Sequence, residues 1–211
     1  MWDIDVMSDG KPVVAYYDAA NSSLKVVVAT NTEPDLASEW TRYSPSLSCS
    51  GEVNLAVDRN NGIHITYLDT DGKLCYVYAK SETSIASLTD EDKEVIDING
   101  SLSYGSLSVK EDGDVIVPCV TYLNRANIED CIKYAERTNG GWDYQFVPTL
   151  DGYRAVAENQ ISLEGYKEDW KNTKGTDVLT NGGEKSASPD KVDAVIAFKS
   201  KRFETAYLKK E

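Results

Sequence analysis

The sequence predicts an all-β fold, a β-propeller with about four antiparallel four-stranded blades, the last of them incomplete. The main observation is a short alternating apolar segment that occurs four times, at Lys11 to Asp18, Gly62 to Asp69, Val117 to Asn124 and Asp193 to Ser200. A second apolar run follows each copy, and turn residues separate the runs. The first three copies are spaced by about 50 residues, one propeller blade each, and a longer connection precedes the fourth; such self-similarity indicates a repeat architecture.

Each copy and the run after it are predicted to form an antiparallel hairpin, because the two runs are too close in the chain to pair otherwise. The link in the second copy, Asp69-Thr-Asp-Gly-Lys73, contains the Asp-Gly pair that is typical of a tight turn. In this alignment Tyr67 lies opposite Tyr76, and the matching columns place Tyr122 opposite Ile132.

A strand before and a strand after the hairpin complete the predicted blade. The inner candidates are Trp2 to Met7, Val53 to Asp58 and Ser106 to Val109, and the outer candidates are Trp40 to Tyr43, Glu94 to Ile98 and Trp142 to Val147. We expect a single domain, 1–211, with blades at about 2–47, 48–100, 101–150 and 151–211. The segment Ser84 to Lys93 is equally compatible with a short helix and with a loop.

Composition narrows the functional classes. The 211 residues carry 22 Lys and Arg against 35 Asp and Glu, a net charge of −13, and no window concentrates the basic residues. Nucleic acid and anionic lipid both require a positive patch, so we expect neither as a partner. No apolar stretch is long enough to cross a bilayer, and residues 1–20 lack the regions of a signal peptide, so no membrane insertion is predicted.

The sequence contains four cysteines, Cys49, Cys75, Cys119 and Cys131. In the expected third hairpin Cys119 faces Ala135 and Cys131 faces Leu123, which separates the two thiols by about 13 Å at the strand rise. That distance is too long for a disulfide. Cys75 and Cys131 occupy one column of neighbouring blades and are also expected to be apart. We predict four reduced, mostly buried thiols.

Two stretches, Val57 to Asp69 and Ser8 to Asp18, share a pattern of Asp, Gly, an alternating apolar strand and a final Tyr-x-Asp, and the third copy keeps Pro118 and Tyr122. The pattern resembles the repeat of bacterial secreted and surface β-propellers. The resemblance implies a propeller, a distant relation to sialidase-like propellers, and an extracytoplasmic or cell-surface location. Because the four cysteines are predicted to be reduced, a cytoplasmic location is the alternative. Such analogy does not assign a function.

Sialidase activity itself is not expected. The chain has no Ser-x-Asp-x-Gly-x-x-Trp box, because the stretch Ser8 to Pro12 lacks both the spacing and the tryptophan. A sialidase also requires three arginines around the substrate carboxylate, and most of the arginines here fall in outer strands or turns.

His64 is the single histidine, and it shares its strand column with apolar residues of the other copies. We interpret it as a packed, hydrogen-bonded core residue rather than a ligand or base. One histidine and no closely spaced cysteine pair leave a transition metal almost without ligands. The stretches Asp58 to Asn61 and Asp69 to Asp71 lack the spacing of a calcium loop, and turn chemistry explains both. We expect no cofactor, with calcium as the weaker alternative.

Ligands of propellers usually bind at one end of the central channel, where loops from the outer strand of one blade enter the inner strand of the next. Here these loops are 46–53, 99–105, 150–160 and the connection before the last hairpin. That connection, 164–191, is a long polar insertion, either a lid over the channel or a loop without a role. The predicted ligand-binding residues are Tyr104, Tyr153, Arg154, Glu158, Tyr166 and Trp170.

Two functional hypotheses follow. The first is a non-catalytic binding module that recognises a glycan or a protein segment at the channel end. The second is a glycoside hydrolase or lyase, which requires two carboxylates across the pocket at roughly 5 to 10 Å. Its candidate residues are Glu52, Glu158 and Asp169.

Closure of the ring is a separate question, because the last predicted blade has no outer strand of its own. An open sheet edge is a surface for pairing with another strand. We expect a piece of a larger propeller, completed by blades from another segment or by a second copy, with a self-contained four-bladed ring as the alternative.

Overall fold

The computed structural model describes the backbone of residues 2–98, 102–112, 115–124, 131–146, 155–162, 194–200 and 203–208, and the side chains of 2–98, 105–111, 115–122 and 133–145. These residues form fifteen β-strands and two short 3-10 helices. The predicted all-β fold is confirmed.

The strands form four antiparallel sheets, and each sheet follows the chain in order. Sheet I comprises β1 (Trp2–Val6), β2 (Pro12–Asp18), β3 (Ser23–Ala29) and β4 (Trp40–Tyr43), and sheet II comprises β5 (Val53–Val57), β6 (Ile63–Leu68), β7 (Leu74–Ala79) and β8 (Glu94–Asp97). Sheet III comprises β9 (Leu102–Asp112), β10 (Val115–Asn124), β11 (Cys131–Thr138) and β12 (Gly141–Phe146), and sheet IV comprises β13 (Ala155–Ser162), β14 (Ala194–Ser200) and β15 (Phe203–Leu208).

Neighbouring sheets pack through their first strands. β1 lies beside β5, β5 beside β9, and β9 beside β13. The sheets therefore stack face to face around a series of inner strands, which is the arrangement of propeller blades. We call the side of a sheet that faces the preceding sheet its upstream face, and the opposite side its downstream face.

The alternating strand direction separates two ends of the molecule. Turns between the first and second strands lie at one end. Turns between the second and third strands lie at the other end, together with the connections from one sheet to the next. We call this second end the channel end, and its described segments are 19–22, 44–52 and 69–73.

The junction between sheets I and II is an apolar core. Alternate residues of each strand point into it, as expected for a sheet with one face buried. Its fully buried members include Val13, Leu24, Val26, Val28, Ile63, Ile65, Cys75 and Val77.

The junction between sheets II and III is built from the equivalent strand positions, but more of its side chains are polar. Ala56, Leu74, Leu107, Val120 and Ala135 form its apolar part. Buried polar and aromatic side chains lie beside them, namely His64, Thr66, Tyr76, Asp97, Tyr122 and Lys133.

Two carboxylates join the inner strands of sheets I and II. Asp3 Oδ2 accepts the Leu55 N–H at 2.8 Å, and Asp5 Oδ2 accepts the Val57 N–H at 2.7 Å. The Oδ1 atom of each aspartate accepts the N–H of the residue that follows it in β1. Each carboxylate thus satisfies N–H groups on the open edges of two strands, which have no ladder partner.

Three turns share one hydrogen-bond pattern. In the turn 69–73, the Asp69 N–H donates to the Lys73 carbonyl and the Gly72 N–H donates to the Asp69 carbonyl, both at 3.0 Å, with Gly72 at φ 78°. The turn 58–62 repeats the pattern with Asn61 at φ 63°, and the turn 7–11 with Gly10 at φ 86°. This is a type I turn closed by a left-handed residue, a conformation that favours glycine and asparagine.

This turn corrects the predicted register. Tyr67 lies opposite Cys75 rather than Tyr76, and Tyr122 lies opposite Lys133 rather than Ile132. A two-residue Asp-Gly turn in the second copy would give the predicted pairing, whereas the left-handed Gly72 lengthens the loop by one residue. A slip of one residue exchanges the two faces of a strand, so the prediction assigned part of β7 and β11 to the wrong face.

The cysteine prediction changes in detail. Cys49, Cys75 and Cys119 are buried free thiols, and burial raises the pKa of Cys75 to about 12. Cys119 lies opposite Glu136 and not Ala135, and Cys131 lies opposite Asn124 and not Leu123. The two cysteines are then about 17 Å apart at the strand rise, still too far for a disulfide. Cys75 shares its column with Lys133 and not with Cys131.

The predicted helical segment is a 3-10 helix that begins two residues earlier than expected, at Glu82–Ser87. It buries Ile85, and the Ser81 N–H donates to Ser84 Oγ at 3.1 Å at its start. A second 3-10 turn, Ala37–Glu39, was not predicted. The Glu39 carboxylate accepts the N–H groups of Asp35 and Leu36, both at 2.8 Å, which fixes the chain before β4.

Candidate functional site

The structure describes some of the predicted site residues fully, some by their backbone alone, and others not at all. Tyr153, Arg154, Tyr166, Asp169 and Trp170 lie outside the described residues. The predicted loop positions of Tyr104 and Glu158 are wrong, because Tyr104 belongs to strand β9 and Glu158 to strand β13, where the backbone alone is described. Glu52 is fully described and lies directly before β5, at the channel end. The structure therefore tests no distance between these candidates, and they remain predictions.

The loop between sheets I and II is held firmly at the channel end. The Cys49 N–H donates to the Ser22 carbonyl at 3.0 Å, and the Ser50 N–H donates to the Leu68 carbonyl at 2.9 Å. The loop thus bridges the hairpin turns of both sheets, and Leu47 and Cys49 anchor it in the core. This loop, the turns 18–22 and 69–73 that it bridges, and the segment 90–93 that contacts them form a preorganised rim, which we call the channel-end rim.

Asp69 is the most connected carboxylate of this rim. Its Oδ1 atom accepts the N–H groups of Asp71 and Lys73, at 3.0 and 2.9 Å, within the turn. Its Oδ2 atom accepts Lys93 Nζ at 3.1 Å and the Cys75 thiol at 3.6 Å. Burial pushes the pKa of Asp69 upward, but the Lys73 N–H and the Lys93 ammonium outweigh burial and hold that pKa below its usual range.

The other described aspartates of the rim also have partners. The Asn21 amide and the Ala20 N–H donate to Asp18 at 2.7 and 3.1 Å, and the amide is the main cause of its lowered pKa. Lys73 Nζ donates to Asp71 at 2.9 Å.

Asp90 extends the Asp69 network to the loop. Its Oδ2 atom accepts the Ser48 hydroxyl at 3.1 Å, and its Oδ1 atom lies 3.6 Å from Lys93 Nζ. Lys93 therefore connects Asp90 to Asp69 across the rim. The described rim offers hydrogen-bonding groups that are already fixed in position.

His64 lies away from the channel end, at the II–III junction, and the prediction of a hydrogen-bonded core histidine is confirmed. Its Nδ1 atom is 2.7 Å from the Tyr76 hydroxyl, and its Nε2 atom is 3.1 Å from Asp58 Oδ2. A neutral ring satisfies both contacts when Nε2–H donates to the carboxylate and Nδ1 accepts from the hydroxyl. Burial lowers the pKa of His64, although Asp58 opposes the shift.

A buried ion pair was not predicted from the sequence. Asp97 Oδ2 accepts Lys133 Nζ at 2.7 Å and the Tyr122 hydroxyl at 2.9 Å. The Lys133 ammonium also lies 4.7 Å from the centre of the Tyr144 ring. The available signal was a lysine between the apolar residues Ile132 and Tyr134 of its strand. The carboxylate that pairs with it lies in another sheet, which sequence spacing does not reveal.

Turn chemistry accounts for the two oxygen-rich stretches that were considered for calcium. Asp58 Oδ1 accepts the N–H groups of Asn60 and Gly62, both at 2.8 Å, and Asp69 makes the equivalent bonds in its own turn. Within the part of the chain that the structure describes, no group of three His, Cys, Asp or Glu side chains is arranged to hold a metal ion. The prediction of no cofactor stays a prediction.

The described residues include no helix with the length and apolar character needed to cross a membrane.

Comparison with known proteins gives structural matches alone: no family model matches the chain, and no curated protein does. A bifunctional GH43-CE protein from Bacteroides eggerthii matches with a TM-score of 0.52 and 10% identity, over 93% of this chain and 22% of that one. A fucose lectin from Kordia zhangzhouensis, in complex with methyl-fucoside, matches with a TM-score of 0.45 and 14% identity, over 69% of this chain and 97% of that one. An α-L-arabinofuranosidase from Clostridium thermocellum matches with a TM-score of 0.48 and 10% identity, over 93% of this chain and 67% of that one.

At these identities the similarity concerns the fold and not the activity. The chain spans about a fifth of the length of the GH43-CE protein, consistent with the 22% coverage. Together with the sheet order and the packing of the inner strands, the match shows that this chain is built from β-propeller blades.

Proposed function

We propose that this protein is a non-catalytic binding module that recognises a glycan at the channel end of its propeller. The foremost predicted contact residues are Tyr104, in strand β9, and Tyr153 and Arg154, which the sequence assigns to a channel-end loop. Aromatic faces and fixed hydrogen-bonding groups are the usual components of a sugar site, because a sugar ring has both apolar faces and hydroxyl edges.

One observation argues against a catalytic acid among the described aspartates of the rim. Asp18, Asp69, Asp71 and Asp90, the described aspartates of the rim, are all engaged by N–H groups, a hydroxyl or lysines. The pKa values of Asp18 and Asp69 are lowered, whereas the acid of a hydrolase requires a raised pKa. These carboxylates are suited to hold the rim and poorly suited to donate a proton.

The alternative is a glycoside hydrolase or lyase that uses two of Glu52, Glu158 and Asp169. The GH43-CE neighbour makes carbohydrate the first ligand class to test for either activity. An extracytoplasmic or surface location belongs to the same proposal, since polymeric glycans are met there.

The test is a screen of labelled oligosaccharides with the full chain, in which binding is measured by retention and integrity by chromatography. We expect saturable binding with the ligand recovered intact. Tyr104→Ala should weaken binding at least tenfold, whereas Tyr144→Ala, which removes an exposed tyrosine of outer strand β12, should not.

Two further variants separate the alternatives. Glu52→Gln should leave the ligand intact and bound, as in the unmodified protein, and Glu158→Gln, at a predicted contact residue, should leave the ligand intact. Cleavage by the unmodified protein that either variant abolishes would replace the binding proposal with the hydrolase. Absence of binding to any glycan would contradict both.

A further inference from the structure

Three polar side chains meet at the outer edge of the junction between sheets II and III. Glu94 is the first residue of β8, on the downstream face of sheet II, where it lies opposite Tyr76. Arg137 and Trp142 are paired on the upstream face of sheet III, in β11 and β12. Arg137 Nε and Nη2 donate to the two oxygens of the Glu94 carboxylate, both at 2.8 Å, and Trp142 Nε1 donates to it at 3.1 Å. We call these three residues the interblade cluster.

Aromatic side chains of sheet II support the cluster. The ring centre of Trp142 lies 5.2 Å from that of Tyr76, with the two planes at 68°. Tyr76 is buried and hydrogen-bonded to His64, which fixes its ring. Tyr78 lies on the same face of β7 as Tyr76, with 42% of its surface exposed and its ring centre 4.8 Å from that of His64. The interblade cluster therefore combines a fixed set of polar groups with aromatic surface.

The cluster is open to solvent and keeps hydrogen-bonding capacity. The side chains of Arg137 and Glu94 are 45% and 36% exposed, and Trp142 is half-buried. A guanidinium carries five N–H groups. Among the described residues Glu94 alone accepts from the Arg137 guanidinium, through the N–H of Nε and one N–H of Nη2. The remaining N–H groups of Arg137 are thus available to a ligand beside the Glu94 carboxylate.

These groups suit a neutral sugar better than a charged ligand. Neighbouring sugar hydroxyls can accept hydrogen bonds from a guanidinium and donate to a carboxylate at the same time. The apolar face of the sugar ring packs against an aromatic side chain. Glu94 balances the charge of Arg137, so the cluster has no excess charge to attract an acid or an amine. The net charge of −13 further disfavours an anionic ligand.

We propose that the interblade cluster of Glu94, Arg137 and Trp142 binds one neutral sugar residue of a glycan. The site is independent of the channel-end site of the proposed function. The cluster joins sheets II and III, whereas the channel-end rim joins sheets I and II. Each polar contact in the cluster joins residues more than 40 positions apart in the chain, so the site exists only when the two sheets pack together.

The test is a titration of the full chain with the methyl glycosides of glucose, galactose, mannose and fucose, with choline and N-acetylneuraminic acid as charged comparisons. Nuclear magnetic resonance follows the indole N–H signals of the four tryptophans. The signal that disappears in Trp142→Phe identifies this site. We expect at least one neutral glycoside to shift the Trp142 signal saturably.

Two variants test the polar contacts. Arg137→Lys keeps the positive charge but loses the planar fork, and Glu94→Gln keeps the shape but loses the carboxylate. Each should raise the dissociation constant of the glycoside at least tenfold. An exposed ion pair contributes little to stability, so both variants should fold, and a thermal melt checks this.

The matched control is Arg59→Lys, in a second arginine–glutamate pair that crosses the same junction to Glu111. It should leave the titration unchanged. Absence of a saturable shift with all four glycosides would overturn the proposal, and so would folded Arg137→Lys and Glu94→Gln proteins that bind as tightly as the unmodified chain. A shift with choline or N-acetylneuraminic acid alone would overturn the assignment of a neutral sugar. The Trp142 signal reports this site alone, so the result is separate from the test of the channel-end site.

Discussion

The I–II and II–III junctions occupy the same columns of one repeat, yet they differ in chemistry. The first is filled by aliphatic side chains such as Val26 and Ile65, and its polar contacts lie at the inner strands, where Asp3 and Asp5 accept backbone N–H groups of sheet II. The second contains a histidine network and an ion pair within its core. The repeat determines where strands and faces lie, while individual residues determine how a junction responds to charge and pH.

Removing the buried Asp97–Lys133 ion pair of the II–III junction should have the largest effect on stability. Lys133→Met should destabilise the protein by about 3–5 kcal/mol, because the buried Asp97 carboxylate loses its ammonium partner. Urea unfolding followed by tyrosine and tryptophan fluorescence measures the change.

The control for this variant is Lys73→Met, which removes an exposed ion pair with Asp71 and should leave the unfolding midpoint unchanged. The double variant Asp97→Asn with Lys133→Met should recover part of the loss, since no buried charge is then left alone. Equal stability of Lys133→Met and the unmodified protein would show that the II–III junction does not depend on the pair.

The turn beneath the histidine network should be the next most sensitive point. Gly62→Ala places a Cβ atom too close to both the Asp58 carboxylate and the Tyr78 ring, so both must move. We expect a loss of about 1–3 kcal/mol, as for other overpacked sites. Gly51→Ala, where a Cβ atom meets nothing within 4 Å, is the matched control and should be near neutral.

Acid should affect the II–III junction before the I–II junction. The pKa of His64 is lowered from 6.5 in the folded protein, so at intermediate pH the unfolded chain binds the extra proton. The contribution of His64 is therefore complete above pH 6.5 and is lost as the pH falls through the folded pKa. His64→Gln should reduce the slope of unfolding free energy against pH below about 6.5, and an unchanged slope would exclude His64 as its source.

The repeat predicted the strands well because alternation and turn residues are local signals. β4, Trp40–Tyr43, has the predicted bounds, and β8, Glu94–Asp97, differs from its prediction by one residue. The hairpin register was wrong because an Asp-Gly pair is compatible with two turns, and the sequence does not show that Gly72 extends the loop. Local sequence therefore placed the strands more reliably than their partners.

The polar networks depended on side-chain contacts that local sequence does not encode, within sheet II for His64 and between sheets II and III for Asp97. The burial of His64 was predicted from its alignment with apolar residues of the other copies, but its hydrogen-bond partners Asp58 and Tyr76 were not predicted. The Asp97–Lys133 pair joins residues 36 positions apart in different sheets and was missed. Tyr104 and Glu158 lie in strands rather than in the predicted loops, and their role in binding, like that of Arg154, remains a prediction.

Titration of the single imidazole by nuclear magnetic resonance tests the difference between the junctions most directly, because His64 gives the one histidine signal of the chain. The account predicts a folded pKa below 6.5, with Nε2 protonated toward Asp58 and Nδ1 accepting from Tyr76. A pKa at or above 6.5 would mean that a charged His64–Asp58 pair is favoured in the core, and would contradict the neutral network described for the II–III junction.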